Sequence, residues 1–277
     1  PGHGTPTVIL FGRDRAPVGD TVRTVMGIKG EPATPADASK GLVWSAIVSQ
    51  VDHAGSENEW VSVSGTPRET FAKHPWSIGG GGAAELRDSL DASAPQSLAT
   101  KNADIGFLVI TGEDNCLLLE PDVASRFGLS MTVPIGDGEA LRDWTCETDL
   151  ECFWPYDPLG ADLDPTALHS YLNILWPYRA ILKGRKAFGI PVEQKGLRWW
   201  DIREVYRERL KAPLSITFAF VATHNHFVLD RGGKVFNRSA PVIKLPAGAT
   251  EDDHLALLGL LNSSTACFWM KQVFHNK

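Results

Sequence analysis

The stretch Ala212–Phe236, APLSITFAFVATHNHFVLDRGGKVF, sets the fold class. Leu214–Ala222 (LSITFAFVA) is apolar, β-branched and aromatic throughout, which favours a pleated strand over a helix. Phe227–Leu229 and Lys234–Phe236 flank Asp230-Arg-Gly-Gly233, and glycines between two short apolar runs predict a hairpin. Pro241–Leu245 predicts a last strand. Beyond it, Asp252 or Asp253 is expected to cap a helix carrying Leu257, Leu258, Leu261, Phe268 and Trp269 at i, i+3, i+4 spacing, a core-facing stripe.

Upstream the pattern turns helical. Asp164-Pro165 predicts a helix start, with Asp as N-cap and Pro in the first turn, and Leu168, Leu172 and Leu175 follow at helical spacing. Pro177 ends or kinks that helix. A second helix is expected over Tyr178–Phe188 and a third over Arg198–Leu210, with Ile202, Tyr206 and Leu210 on one face. Further upstream, Ile105–Ile110 (IGFLVI) predicts a strand, Thr111–Asn115 a turn and Cys116–Leu119 the returning strand. Asp122–Phe127 predicts a short helix, Gly136-Asp-Gly138 a turn, and Trp154–Pro158 irregular structure.

In the first part of the chain, Thr7–Phe11, Leu42–Val51 and Trp60–Ser64 read as strands, with a surface loop at Gly27–Lys40. Ile78 and the run Gly79–Gly82 precede a helical stretch, Ala83–Leu90. Four glycines before a helix can cradle a phosphate, but without the Lys-Ser/Thr of a P-loop the run reads as a hinge between two domains. The expected class is α+β: one edge of an α/β sheet in residues 1–70, a mixed α+β domain in 71–250, and the start of a helical segment in 251–277.

The 277 residues are 43% hydrophobic, 22% charged and 9% aromatic, which excludes a disordered chain, a fibrous repeat and a small disulfide scaffold. Cys116, Cys146, Cys152 and Cys267 form no C-x-x-C pair and no zinc spacing, so they read as reduced thiols. No signal peptide and no apolar run near ~20 residues is present, which predicts a cytoplasmic protein without a membrane partner. The chain opens on Pro1 and stops just after an apolar helical pattern, and is expected to be part of a longer protein.

Charge is unevenly spread. From Tyr171 to Lys244, fourteen Lys and Arg stand against five Asp and Glu, so this segment carries +9 and the remainder of the chain, whose total is −6, carries −15. Such a contrast fits either a surface built for a polyanion or a solvated helix face. Within the segment, Tyr178-Arg179 and Lys183-Gly184-Arg185-Lys186 make a basic cluster on one expected helix, suited to phosphates or to a solvated face. Trp199-Trp200 lie beside Arg198, Arg203 and Arg207, an arrangement that stacks bases and grips phosphates or else packs a core. His224-Asn225-His226 follows a strand. Two His at i, i+2 share one side of it and suit a metal, a base edge or plain solvent. Arg231 and Lys234 flank the Gly-Gly turn.

Reaction-centre patterns are missing. Gly128-Leu-Ser-Met-Thr132 fails the G-x-S-x-G elbow at its last position, and no H-E-x-x-H, EF-hand loop or nucleotide fingerprint occurs. The residues alone describe a binding module.

Several segments together resemble a known family. Pro1–Phe11 is similar to the last-strand region of a gamma-type adenine-N6 DNA methyltransferase. Ile105-Gly106 through Thr111-Gly112 and Asn115 resembles the opening of a TaqI-like target-recognition domain. Ala212-Pro213 through Asp230 resembles its closing sheet, and Leu257–Trp269 (LLGLLNSSTACFW) the helix after it. The set is most similar to the large adenine-specific methyltransferase of the BREX and phage-growth-limitation systems, which defend bacteria against phage. The resemblance implies that residues 1–70 complete a methyltransferase domain and that 71–250 form a target-recognition domain.

It also implies methyl transfer from S-adenosylmethionine to adenine N6 of double-stranded DNA, with the target base taken out of the stack. The Asn-Pro-Pro-Tyr/Phe and Phe-x-Gly-x-Gly motifs are absent here, so no catalytic or cofactor residue is assigned; both sets are expected upstream of Pro1. The expected DNA contacts are Arg179, Lys183, Arg185, Arg198, Arg203, Arg207, His224, Asn225, Arg231 and Lys234. Other proteins of the defence system are further expected partners. Three alternatives accompany this reading: a non-catalytic DNA-specificity subunit, a metal-dependent nuclease using His224 and His226, and a protein-interaction module of the defence complex without DNA affinity.

Overall fold

Contacts divide the polypeptide into two units, one formed by the chain up to Pro95 with the segment from Ser264 onward, the other by Gln96–Ser263. The structure, a computed structural model, describes residues 8–72, 76, 79–101 and 103–274. Mixed helices and small sheets confirm the α+β class.

In the first unit, β1 (Thr21–Gly27) pairs antiparallel with β2 (Val61–Pro67), from Thr21↔Pro67 to Gly27↔Val61. Alternation along V-S-V-S buries Val61 and Val63. Leu42–Gln50, expected as a strand, is helix α1. Its N-cap Gly41 offers no side chain, and the Glu31 carboxylate accepts from Leu42 N and Val43 N instead, both at 2.9 Å. That cap lies eleven residues upstream of Leu42, so the β-branched content of Val43, Ile47 and Val48 misleads a local reading. The strand expected at Thr7–Phe11 is also corrected. Thr7 lies outside the described residues, and Val8, Ile9, Leu10 and Phe11 are exposed and without regular structure.

The glycine run is docked, not a hinge. Gly79 bridges Gly27, and Gly80 N donates to Gly27 O at 3.0 Å. A Cβ on Gly80 would sit 2.6 Å from Ser62 Oγ and 2.8 Å from Met26 O, so only glycine fits against the sheet. Ile78 lies outside the described residues. Helix α2 (Ala83–Ser93) follows as expected, and Asp91 accepts from the indole N–H of Trp269 at 2.6 Å, on the helix Ser264–Val273 of the same unit.

The second unit opens with β3 (Asp104–Gly106) and β4 (Val109–Ile110), then α3 (Asp114–Leu117), β5 (Leu118–Leu119) and α4 (Pro121–Arg126). It continues through β6 (Thr132–Gly136), β7 (Leu141–Arg142), β8 (Thr145–Cys146), β9 (Glu151–Phe153), α5 (His169–Leu175) and α6 (Arg179–Gly184). Next come β10 (Lys186–Ala187), β11 (Ile190–Pro191), β12 (Glu204–Val205), α7 (Arg207–Leu210), β13 (Ser215–Phe218), β14 (Phe227–Asp230), β15 (Val235–Phe236), β16 (Val242–Lys244) and α8 (Glu251–Leu261). The chain then returns to the first unit as α9 (Ser264–Val273).

Two four-stranded sheets form, in the orders β14-β13-β16-β3 and β15-β6-β9-β5. The Gly-Gly hairpin is thereby corrected: β14 pairs with β13, whereas β15 pairs parallel with β6 in the other sheet. The buried Asp230 carboxylate accepts from Gly232 N at 3.1 Å and turns the chain from one sheet to the next. Likewise β5 pairs with β9 and not with β4.

Asp164 caps as expected, accepting from Thr166 N at 2.8 Å, and α5 follows one short 3-10 turn. The second helix stops at Gly184, not Phe188. The third, expected over Arg198–Leu210, is replaced by a turn, β12 and the short α7, because Glu204 and Val205 pair with Ile110 and Val109 of β4. Thr250 rather than Asp252 or Asp253 is the N-cap of α8, with Asp253 closing the capping box. The expected final helix is two, α8 and α9. Phe153, Tyr171, Leu175, Leu182 and Phe236 are among the fully buried side chains that fill the core. Among the described residues no helix is long and apolar enough to cross a membrane.

Candidate nucleic-acid interface

The basic segment folds around a buried polar knot. Arg185 is 6% exposed, and burial pulls its guanidinium below the ordinary value. Nε donates to Leu182 O (2.9 Å), Nη1 to Thr111 O (2.9 Å), and Nη2 to Trp199 O (2.8 Å) and Asp201 O (2.7 Å). Four carbonyls from three segments thus satisfy a charge whose unpaired burial would be costly. Arg185 is an internal tie, and its assignment as a DNA contact is corrected.

Asp201, also buried, ties down Arg198. Its carboxylate accepts from Arg198 N at 2.7 Å, Nε at 3.0 Å and Nη2 at 2.8 Å. That bonding raises the Arg198 pKa. Tyr171 Oη donates to Trp200 O (3.1 Å), Tyr156 Oη accepts from Ile202 N (2.9 Å), and burial pushes both phenols up. Trp199 is buried. Trp200 is half-buried, with the Arg198 guanidinium 5.2 Å from its ring.

From this knot a cationic face projects. Arg179 begins α6 with its guanidinium 4.9 Å from the exposed Trp176 ring. Lys183 pairs with Glu193 at 3.1 Å, the only acid between Arg179 and Lys195. Lys186 is exposed on β10, and Lys195 lies 5.3 Å from the Phe188 ring centroid. Elsewhere in the unit, Arg198 and Arg207 converge on Asp162 at 3.4 and 2.6 Å. The Arg207 pair is about half exposed on both sides, and such a pair, worth ~0–1 kcal/mol, yields readily to a phosphate.

Arg203 lies on a cleft of about 260 Å³ with Arg238, Asn237, Thr111, Gly112, Glu113 and Asp114. The Thr111 hydroxyl bonds Asp114. Gly112 has φ +83, and a Cβ there would meet Arg203 Cβ at 2.9 Å, so the Thr-Gly step shapes this cleft through its missing side chain. Arg203 Nε is 3.7 Å from Glu204 Oε1 without a hydrogen bond.

The remaining candidates sit apart. Asn225 Nδ2 donates to Leu261 O at 2.5 Å, which ties it to the end of α8. His224 is exposed and bonds the Thr223 hydroxyl at 3.0 Å. Arg231 pairs with Glu251 at 2.6 Å, and Lys234 with Asp230 at 3.8 Å. Among the described residues no three His, Cys, Asp or Glu side chains are placed to hold a metal ion. Sequence reasoning missed Lys195 and Arg238 as surface cations and placed Lys186, which lies on β10, on the preceding helix. The F-G step between short runs was an available hairpin signal.

No family model matches the chain. A comparison with curated proteins finds similarity to an adenine-specific methyltransferase along the whole chain. That relative is PglX of Streptomyces coelicolor, 42% identical over 287 aligned residues covering 100% of this chain. The chain spans 23% of the length of that relative. The resemblance drawn from the separate motifs and the identity along the chain agree.

Proposed function

We propose that Gln96–Ser263 is the DNA-reading unit of an adenine-specific, S-adenosylmethionine-dependent methyltransferase of a phage-defence system. One observation carries the reading. The twenty residues 176–195 carry Arg179, Lys183, Lys186 and Lys195 together with the exposed rings of Trp176 and Phe188, which lie 4.9 Å from Arg179 and 5.3 Å from Lys195. Cations neutralise phosphates and rings stack on bases, and this segment offers both. The 42% identity to PglX supports adenine as the base modified by the longer protein.

Neither the Phe-x-Gly-x-Gly nor the Asn-Pro-Pro-Tyr/Phe motif occurs in the chain, so no cofactor contact and no chemical step is assigned to its residues, and by itself the segment is expected to transfer no methyl group. Photocrosslinking the protein to a duplex oligonucleotide, followed by peptide mapping, tests the reading. Crosslinks in 176–195, 198–210 and at Arg238 are expected. Crosslinks confined to residues 8–95 would reject it.

A further inference from the structure

Phe188 is 90% exposed, and its φ is +53. With Gly189 at φ +80 it forms the two-residue turn of a hairpin whose strands pair Lys186↔Pro191 and Ala187↔Ile190. Positive φ at both turn positions matches the twist of such a hairpin, but glycine, asparagine and aspartate are the residues that adopt it at little cost. A bulky ring in this backbone region is an outlier, and outliers of this kind gather at working sites. The ring is exposed and the backbone strained, and neither serves the packing of the fold.

The base of the hairpin is the opposite of its tip. Ala187 and Val192 are buried, Val192 N donates to Arg185 O at 3.1 Å, and the Arg185 guanidinium fixes that strand to four carbonyls. The ring is therefore held out on a rigid stem. Lys195 Nζ lies 5.3 Å from its centroid, Lys186 is exposed on the strand that leads to it, and Glu193 is already engaged by Lys183. A flat apolar probe with cations nearby is complementary to a polyanion that carries flat apolar faces between its charges, which is stacked nucleic acid.

We propose that Phe188 is a wedge that enters a base step of bound duplex DNA and loosens its stacking, while Lys186 and Lys195 hold the flanking phosphates. The proposal rests on the DNA-reading function above and adds the residue that deforms the duplex. The full-length protein is titrated with a fully paired duplex and with the same duplex carrying one abasic site, where unstacking is already achieved. The parent is expected to prefer the abasic duplex by roughly tenfold. Phe188→Ala is expected to lose that preference, Phe188→Trp to keep it, and all three to share one salt dependence. A preference unchanged in Phe188→Ala, with DNA binding intact, overturns the wedge alone and assigns the ring to a protein surface. Failure of the parent to bind either duplex overturns the DNA reading, and the wedge with it.

Discussion

Arg185 and Lys186 are neighbours in sequence with opposite environments. The first is sealed among four carbonyls, and the second stands in solvent on β10. The same contrast runs through the whole basic segment. Arg185 and Lys244 are buried against backbone oxygens, whereas Lys186, Lys195 and Arg238 are exposed. A positive segment is thus two populations, one that ties loops together and one that faces outward. Only the second is available to a polyanion.

The largest effect that separates them is expected at Arg185. Arg185→Leu strands four carbonyls, and urea unfolding should show a loss of about 3–5 kcal/mol. Arg185→Lys should not restore it, because an ammonium lacks the guanidinium fork. A loss below ~1 kcal/mol would break the distinction between tie and surface charge. Asp201→Asn weakens the Arg198 bonds at the same knot and is expected to cost about 2 kcal/mol by the same measurement.

Lys244 sharpens the contrast through pH. Burial lowers its pKa from the ordinary 10.5 to about 8. Between those values the unfolded chain holds a proton that the folded chain has released, so this group makes stability rise with pH. The stability of the parent relative to Lys244→Met should therefore climb from about pH 8 to about pH 10.5. A flat difference would mean the amine is solvated. Raised thiols and phenols titrate in both proteins and cancel in the comparison.

The smallest effect is expected at the hairpin tip. Phe188→Gly removes a side chain from a left-handed residue and should raise stability by about 1 kcal/mol or less. A loss of stability on that change would show that the ring packs.

What the sequence discloses follows the range of the interactions. Asp164 at the start of the α5 region and the helical run from Ala83 are written within a few residues, and both are legible. The α1 helix is not, because its cap is Glu31. Residues 198–210 lose their helix to pairing with β4, about ninety residues away. The excess of cations in 171–244 is plain in the sequence, but the inward turn of Arg185 is not. Its partners are backbone carbonyls of Thr111, Leu182, Trp199 and Asp201, which leave no residue-type signature.

The central claim is that the outward-facing cations meet DNA phosphates, and the salt dependence of affinity measures it most directly. For Lys186→Ala/Lys195→Ala/Arg238→Ala, the slope of log affinity against log salt is expected to shrink by about 2–3 relative to the parent, with an unchanged unfolding midpoint. A triple variant that keeps the parent's slope would contradict the account.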